Sequence, residues 1–410
     1  MSIPATLRTN HQRLWDRIEE FALIGATNGG GLNRVAFGSD HFAAKDRLIE
    51  IASKRGWEIA IDTLGSVFIT RPGADPDAAP LFIGSHLDSQ PYGGRHDGTL
   101  GVLCALEVLE TLADHGITTQ RPITVVDWSN EEGARFAPSL MGSLVYCGEL
   151  SATQARKTRD SQGELVADLL DQWKTLPIGS PISAPSAYVE LHIEQGPILE
   201  KEEVDIAVVD GVQGITQLDV VFTGRAAHAG TTPHADRADA LACAAAFIGD
   251  VHAAGAQDGD LRATVGHVNV HPGARNVVPG KVRLLLDLRH PHRHAQQAWR
   301  SHLEGRAERR AHEAELGVEI IEILDQEPIR FDAEVHRVLR HCARAAGVPF
   351  TTLPSGAGHD AVPLSRRCPT GMLFIPCVGG ISHTEDEAVT PQWAANGADV
   401  LLNAAVELSI

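Results

Sequence analysis

The distribution of apolar and polar residues predicts alternating strands and helices in the first half of the chain. Leucines recur at positions 100, 103, 106, 109 and 112, a helical period that predicts a helix over residues 99–113. The apolar stretches 81–85 and 122–128 are typical of strands buried at the centre of a sheet. Strands and helices alternating at this spacing indicate an α/β layer with a mostly parallel sheet. Other elements are predicted as helices over 9–26 and 42–55 and as two strands within 58–70.

The pattern changes near Gly211 and changes back after Pro328. Between these points the elements follow the order β-α-β-β-α-β, which is that of a ferredoxin-like module. The four strands are predicted at 217–222, 263–270, 282–289 and 318–324, and the two helices at 238–251 and 293–313. We therefore predict one α/β domain, formed by residues 1–212 and 328–410, that is interrupted by a second domain over residues 213–327.

Composition narrows the class of protein. Hydrophobic residues make up 43% of the 410 positions, enough for a sizeable core, and no apolar stretch approaches the roughly 18 residues of a membrane span. The net charge of -18 repels phosphate backbones and anionic lipid, so nucleic acid and membranes are unfavourable partners. The polar N-terminus lacks a secretory pattern, and the six cysteines form no Cys-x-x-Cys pair. These features predict a cytoplasmic protein with reduced thiols.

The loop GSHLDSQPYGGRHDG, residues 84–98, lies between the predicted central strand and the predicted helix. Turn formation accounts for Pro91, Gly93 and Gly94. It does not account for two histidines and two aspartates in so short a loop, namely His86, Asp88, His96 and Asp97. A metal site would account for them.

Further candidate ligands lie at the ends of other apolar stretches, where open α/β sheets bind ligands. Glu131 and Glu132 follow one strand; one glutamate could bind a metal while its neighbour takes a proton from water, although a solvated strand end is the alternative. His192 alternates with Glu190 and Glu194, which could support it, although a core histidine is the alternative. His383 follows Gly379-Gly380, and His228 lies between alanines in the inserted segment.

Together these positions form a ligand set of nitrogen and oxygen donors without thiolate, namely His86, Asp97, Glu132, His192 and His383. One carboxylate of such a set could bridge two divalent ions about 3.5–4 Å apart, as two-metal hydrolases require. The donor types suit Zn, Mn, Co or Ni and do not choose among them.

Seven motifs occur in one order along the chain: GSHLDSQPYGGRHDGTLGV, NEEGARF, ELHIEQGP, HAGTTP, NVVPG, SGAGHDA and GISHTEDE. In this combination the sequence resembles the amidase/carbamoylase branch of the M20 metallopeptidase family, over residues 20–400. That branch contains N-carbamoyl-L-amino-acid hydrolases, β-ureidopropionases and allantoate amidohydrolases. The resemblance implies a di-metal aminopeptidase-like α/β catalytic domain with a mostly parallel sheet, interrupted by a ferredoxin-like α+β domain that acts as a lid and forms a homodimer.

The resemblance also assigns roles by position. It implies that His86 and His192 bind one ion, that Glu132 and His383 bind the other, and that Asp97 bridges the two. Glu131 would be the general base, and Asp88 would orient His86. In the inserted domain, His228 would reach the partner subunit's active site and stabilise an oxyanion.

Substrate would contact a further set of residues, namely Gln195, Asn276, Arg289 and Gly358, and His359 and Asp360 could contribute beside Gly358. Arg289 would bind the substrate carboxylate, with Asp287 on the same strand face to orient it; a surface ion pair is the alternative. His96 and His234 depart from the family pattern; His96 is not expected to be a ligand, and His234 could alter the pocket edge or the dimer contact.

The activity implied is hydrolysis of the carbamoyl group of N-carbamoyl-L-amino acids or N-carbamoyl-β-alanine to an amino acid, CO2 and ammonia, with two divalent ions as cofactors and a small ureido compound as substrate. The Ser-Gln-Pro after Asp88 and the NEEGARF motif favour these substrates over allantoate. An M20 dipeptidase or aminoacylase is a further alternative, and a metal-free binding protein would be expected to lack ligands that are present here.

Overall fold

The computed structural model describes residues 7–175 and 184–410, so the first six residues of the polar N-terminal segment lie outside the described ranges. The chain forms two compact units. The first comprises the residues up to Asp210 together with Phe331–Ile410, and the second comprises Gly211–Arg330. The lid and dimerisation roles of the inserted segment stay predictions.

The first unit is an α/β structure. Before the insertion its elements are α1 (His11–Ala22), α2 (Ser39–Arg55), β1 (Glu58–Ile61), β2 (Val67–Arg71), β3 (Leu81–His86), α3 (Thr99–Asp114), β4 (Ile123–Trp128), α4 (Met141–Cys147), α5 (Ala152–Arg156), α6 (Val166–Gln172), β5 (Ala187–Ile193), α7 (Ile198–Lys201) and β6 (Ile206–Val212). The short helices α4 to α6 have no clear periodicity in the sequence, and they are held by a separate apolar cluster around Phe37, Phe136 and Met141.

The inserted unit contains β7 (Gly214–Thr223), β8 (Ala227–His228), α8 (Ala240–Gln257), β9 (Arg262–His271), β10 (Val277–Val278), β11 (Lys281–His290), α9 (Arg293–Glu313), β12 (Gly317–Gln326) and β13 (Ile329–Arg330). The first unit then continues with α10 (Ala333–Ala345), β14 (Phe350–Ser355), α11 (Ala361–Leu364), β15 (Thr370–Ile375) and α12 (Pro391–Leu408).

The central strands of the first unit's sheet are parallel. They lie in the order β4-β3-β5-β15, with parallel pairing between all neighbours. The sheet becomes antiparallel toward both edges, where β2 pairs with β4 and β6 pairs with β15. The predicted mostly parallel α/β sheet is thus confirmed in its centre. Because the carboxyl ends of parallel strands meet at one edge, residues that follow β3, β4, β5 and β15 are brought together.

Helix α3 and the central strands form the main core of the first unit. Strands β3, β4, β5 and β15 are buried along their whole length, which explains their continuous apolar sequences. Helix α3 is buried from Thr99 to Leu112, well beyond a single apolar stripe. Its fixed position matters for the site, because Asp97 lies immediately before its first turn.

The inserted unit confirms the ferredoxin-like order. In its described residues, which include the whole unit, a four-stranded antiparallel sheet has the order β12-β7-β11-β9. Burial alternates along β11: Val282, Leu284, Leu286 and Leu288 are buried in a core shared with α8 and α9. The intervening residues of β11 lie on the other face of the sheet.

Candidate metal centre

The predicted ligands lie at the carboxyl edge of the parallel strands. His86 is the last residue of β3, and His192 is the second-last residue of β5. Glu131 and Glu132 follow β4, and His383 lies in the loop after β15. The strand order therefore brings together side chains that are up to 297 positions apart in sequence.

Two groups of candidate ligands share Asp97. Its Oδ1 atom lies 3.1 Å from His192 Nε2 and 3.6 Å from His86 Nε2. Its Oδ2 atom lies 3.4 Å from His383 Nε2, which is itself 3.6 Å from Glu132 Oε2. Within each group one donor atom per residue lies within 4.8 Å of the others. The five residues predicted as ligands thus converge, with one carboxylate between two sets of donors.

Hydrogen bonds fix the tautomers of the two buried histidines. His86 Nδ1 is 2.9 Å from the carbonyl oxygen of Asp88, and His192 Nδ1 is 2.9 Å from the carbonyl oxygen of Ile193. Because a carbonyl can only accept, each Nδ1 carries a proton, and in the neutral imidazole each Nε2 is left with the lone pair. Both lone pairs face Asp97. This is how proteins commonly orient a metal-binding imidazole.

A glycine allows this close arrangement. Gly98, at the start of α3, has φ +61, and a Cβ atom there would lie 2.3 Å from the His86 ring. Any side chain at this position would displace the imidazole or the helix. Contact between the helix start and His86 therefore explains why a glycine follows Asp97.

Asp88 has a different contact from the one expected. Its carboxylate accepts hydrogen bonds from the backbone N–H groups of Glu131 and Glu132, each at 3.2 Å. Its Oδ1 atom is 3.8 Å from His86 Nδ1, too long for a hydrogen bond, and the ring is held by the Asp88 carbonyl instead. Asp88 therefore orients His86 through its backbone and the glutamate pair through its side chain.

The glutamate pair lies in an environment that resists ionisation. Burial, followed by the negative charges of Asp360 and Glu132, raises the pKa of Glu131 well above its usual value. Burial and Asp97 raise the pKa of Glu132 to about 8. A buried carboxyl group with a raised pKa beside a cluster of ligands is a candidate general base. Divalent cations would relieve the repulsion among these carboxylates.

The pKa values of the two histidines that face Asp97 are also raised, which for an imidazole favours the charged form. Burial lowers the pKa of His192, but the carboxylate of Asp97 outweighs it and raises that pKa to about 9. The hydrogen bond to Asp97 raises the pKa of His383 to about 9 against the effect of desolvation. In the absence of a cation, these histidines bind protons in its place.

The carboxylates that flank His192 do not bind its ring. Glu190 accepts hydrogen bonds from Ser85 Oγ at 2.8 Å and from the backbone N–H of Ala361 at 2.9 Å. Glu194 accepts two backbone N–H groups at the start of α7. We expected these carboxylates to support His192. The ring instead contacts the Ile193 carbonyl and packs against the ring of His359, with 4.6 Å between the ring centroids.

Gln195 and His383 share an unusual backbone conformation next to Asp97. Their φ angles are +58 and +59, in the left-handed region that non-glycine residues rarely adopt. The Gln195 amide donates to Asp97 Oδ2 at 2.8 Å and lies 3.2 Å from His383 Nε2. Such conformations cluster at functional sites. Gly358, the other predicted substrate contact of this unit, is exposed and precedes the buried His359.

The inserted unit carries the remaining predicted residues. His228 in β8 pairs with Val277 in β10, which places it beside Asn276. His228 Nδ1 accepts the backbone N–H groups of Gly230 and Thr231, so its proton is on Nε2 and can be donated. Arg289 donates from Nε to Asp287 Oδ1 at 2.8 Å and from Nη2 to Oδ2 at 3.3 Å. The expected orienting contact between Asp287 and Arg289 is present.

The sequence did not predict a role for several buried charged residues near the loop of residues 84–98. Lys45 and Asp127 form an ion pair that is fully buried, and Asp127 also accepts the backbone N–H of Leu87 at 2.9 Å. Lys45 lies on the apolar face of α2 with Leu48 and Ile49, a pattern that could have revealed it. Glu387, the last residue of GISHTEDE, is also buried.

Two other histidine sites have structural explanations. His96 is buried with its ring stacked on Trp15 at 6.2 Å, and burial lowers its pKa to about 3. His290 forms a third group with Asp258 and Asp260. Its Nδ1 accepts the backbone N–H of His292, so its Nε2 proton faces Asp258 at 3.3 Å. This tautomer is that of a hydrogen bond rather than of a ligand.

The residues of the two groups that share Asp97 fit divalent metal ions. In the described part of the chain, His86 Nε2 is a buried nitrogen without a hydrogen-bond partner, although it faces Asp97 and Glu131. An orphaned lone pair next to carboxylates is what a cation would satisfy. The donors are imidazole nitrogen and carboxylate oxygen, which suit Zn, Mn, Co or Ni.

The α/β domain carries these two groups at the carboxyl edge of its parallel strands. This combination of fold and site is typical of the class of metal-dependent α/β hydrolases. The chain belongs to peptidase family M20/M25/M40, whose sequence profile matches residues 82–407. The resemblance predicted from the motifs is thus confirmed.

Individual relatives cover almost the whole chain. It is 40% identical to the N-carbamoyl-L-amino-acid amidohydrolase of Rhizobium meliloti, over 98% of this chain and 97% of the relative. It is 30% identical to the allantoate amidohydrolase of Bacillus subtilis, over 96% and 97%. A crystal structure of an amidase of the hydantoinase/carbamoylase family from Burkholderia multivorans matches with a TM-score of 0.92 at 41% identity, covering 98% of each chain.

Proposed function

We propose that this chain is a metal-dependent amidohydrolase that cleaves the carbamoyl group of N-carbamoyl-L-amino acids or N-carbamoyl-β-alanine. The observation that carries the proposal is the position of Asp97, whose two oxygens face separate sets of imidazole and carboxylate donors. The similarity to the Rhizobium meliloti enzyme supports the substrate class.

In this proposal His86, Asp97 and His192 would hold one divalent ion, and Asp97, Glu132 and His383 would hold a second. When bound, two such ions would polarise the ureido carbonyl and lower the pKa of water. The carboxylate of Glu131 lies beside the first of these groups, because its Oε2 atom is 3.5 Å from His86 Nε2. Its high proton affinity suits a group that takes a proton and later returns it.

Water adds to the carbamoyl carbon as Glu131 takes one of its protons, and the bond from this carbon to the amino-acid nitrogen breaks. Glu131 delivers the proton to the departing amine, which leaves as the free amino acid. The carbamic acid that remains decomposes to CO2 and ammonia.

Residues of the inserted unit supply binding in this proposal. Arg289 binds the substrate carboxylate, since its guanidinium is already oriented by Asp287. His228 donates its Nε2 proton as a hydrogen bond to the developing oxyanion. Asn276, Gln195 and Gly358 complete the substrate contacts, although Gln195 also holds Asp97.

We place dimerisation on the inserted unit and assign each copy's His228 to the metal centre of its partner. Exposed apolar residues on the face of the four-stranded sheet that is turned away from α8 and α9 support an interface, namely Leu285, Ile321 and Ile323. A cytoplasmic location stays a prediction. It agrees with the six cysteines, all in the described ranges, which are buried and free of disulfides.

Allantoate amidohydrolysis is a second candidate, favoured by the similarity to the Bacillus subtilis enzyme. One experiment separates the candidates: ammonia release from N-carbamoyl-β-alanine, N-carbamoyl-L-methionine and allantoate, with a dipeptide followed by amine release. The enzyme is reloaded separately with Zn, Mn, Co and Ni. Turnover of a carbamoyl amino acid at least tenfold above allantoate supports the first candidate, and the reverse order supports the second. Turnover of the dipeptide alone contradicts both.

A further inference from the structure

The carboxylate of Glu387 connects two loops that carry candidate ligands. Its Oε1 atom accepts the backbone N–H groups of His96 at 2.9 Å and of Asp97 at 3.1 Å. Its Oε2 atom accepts from Ser382 Oγ at 3.0 Å. The first two bonds hold the loop that precedes α3, and the third holds the loop that contains His383. Glu387 is 3% exposed, so these bonds are made away from solvent.

The chain makes room for this carboxylate. A Cβ atom at Gly94 would lie 1.9 Å from the carboxyl carbon of Glu387. The loop can therefore close around the carboxylate only because position 94 has no side chain. Gly94 was explained as a turn residue from the sequence, and the structure gives it this second reason. Glu387 is thus enclosed by the same loop whose N–H groups it binds.

The contacts of Glu387 lead directly to Asp97 and His383. Ser382 Oγ, which is bound to Glu387, also lies 3.0 Å from Asp97 Oδ2. The backbone of Asp97 is therefore held by Glu387, and its side chain by the serine that Glu387 orients. His383 follows Ser382 directly and has φ +59, a conformation that persists only where its surroundings impose it.

We infer that Glu387 is a positioning residue. It holds Asp97 and His383 at a fixed relative position, so that one aspartate can face both groups of donors. Glu387 belongs to neither group of candidate ligands. The inference rests on the proposed metal pair and adds to it a residue outside the ligand set.

The hydrogen bonds of Glu387 allow the effect of its geometry to be separated from the effect of its negative charge. The Ser382 hydroxyl has one proton and can donate it to only one of its two carboxylate neighbours at a time. A glutamine at position 387 could accept the two backbone N–H groups with its amide oxygen and donate its amide nitrogen to Ser382 Oγ. The serine proton would then be free for Asp97. Glu387→Gln should therefore keep the arrangement, whereas Glu387→Ala removes it.

The test measures metal binding directly in the full-length protein. Wild type, Glu387→Gln, Glu387→Ala and Glu387→Asp are loaded with zinc, titrated with a chelator and analysed for metal content by mass spectrometry. Glu194→Ala is the matched control, because Glu194 also accepts two backbone N–H groups at 2.8 Å and lies two residues from His192. Circular dichroism and the Tm of each metal-free variant report whether the fold is retained.

We expect Glu387→Gln and Glu194→Ala to retain zinc as wild type does. We expect Glu387→Ala to lose at least one ion at a chelator concentration about 10- to 100-fold lower, as found when groups that orient ligands are removed. Glu387→Asp keeps the charge but is one methylene shorter, and it should lie between them. It serves as the test if the alanine variant does not fold.

Wild-type zinc binding by the alanine and aspartate variants would overturn the inference. Equal losses in the glutamine and alanine variants would also overturn it, since charge rather than geometry would then be responsible. A wild-type protein that binds no zinc, manganese, cobalt or nickel overturns the proposed function and this inference together. A wild type that binds two ions while Glu387→Ala does the same overturns this inference alone.

Discussion

Asp97 Oδ1 lies 3.1 Å from His192 Nε2, while the other oxygen of the same carboxylate faces His383 at 3.4 Å. A single side chain is therefore common to both candidate metal positions. This geometry predicts unequal effects of ligand removal. Asp97→Ala should lose both ions, whereas His383→Ala should lose one and keep the ion held by His86 and His192.

Metal content of the purified variants checks this prediction, with Glu194→Ala as the control that should keep both ions. Retention of two ions by Asp97→Ala would show that the carboxylate does not bridge them. Loss of both ions in His383→Ala would instead indicate one binding position.

The adjacent glutamates should separate catalysis from metal binding. Glu131→Gln should lower kcat by about 10²- to 10⁴-fold, because it removes the proposed proton acceptor. Glu132→Gln should lower metal content instead, since Glu132 faces His383. Steady-state ammonia release and metal analysis on both variants test the pair. Near-normal kcat in metal-loaded Glu131→Gln would contradict its role as base.

Arg289 should determine recognition of the substrate carboxylate. Arg289→Ala removes a charge-assisted contact worth about 1.5–3 kcal/mol, so KM should rise about 10- to 100-fold. Arg289→Lys keeps the charge but not the fork and should be intermediate. The measurement compares an N-carbamoyl amino acid with the N-carbamoyl amine that lacks the carboxylate. An equal loss on both compounds would mean that Arg289 does not bind that group.

Asp62, which is not one of the candidate ligands, should make stability depend on pH. Burial raises the pKa of Asp62 from 3.8 to about 6 in the folded protein. The folded state therefore binds more protons than the unfolded state between these values, and stability falls as the pH rises from about 4 to about 6.

The shift of about two pH units corresponds to roughly 3 kcal/mol. Asp62→Asn keeps an acceptor for the backbone N–H groups of Leu64 and Ser66, which both bond to Oδ1. Urea unfolding of the variant should show higher stability than wild type at pH 7 and equal stability below pH 4. A difference that is the same at both pH values would assign the effect to packing.

The buried ion pair between Lys45 and Asp127, near the His86 loop, should affect stability mainly because each charge compensates the other. Lys45→Met leaves Asp127 as an uncompensated buried charge, which costs about 3–5 kcal/mol. Adding Asp127→Asn to that variant should recover part of the loss, because the charge is gone and the Leu87 N–H still has an acceptor. Denaturant midpoints of the single and double variants measure this. A double variant less stable than Lys45→Met would contradict the electrostatic explanation.

Much of the architecture followed from residue periodicity. The leucines of α3 and the continuous apolar stretches of β3 and β4 predicted these elements to within a residue or two, because burial on all sides leaves a strong pattern. Helix α1 was predicted too long: it begins after the Asn10 cap and ends at Ala22, where no periodic signal marks the end. Helices α4 to α6 were missed for the same lack of periodicity.

The sequence by itself determined the types and order of the elements, the inserted module and the five residues that converge. It could do so because parallel strands deliver their carboxyl ends to one edge, so polar residues after apolar stretches must meet. Only the tertiary structure decided which atoms touch. The Asp88 carboxylate binds the backbone of the glutamate pair while its carbonyl holds the His86 ring, Gln195 holds Asp97, and Glu387 connects two loops. These contacts join segments far apart in the chain, and they depend on loop conformations that have no repeating pattern.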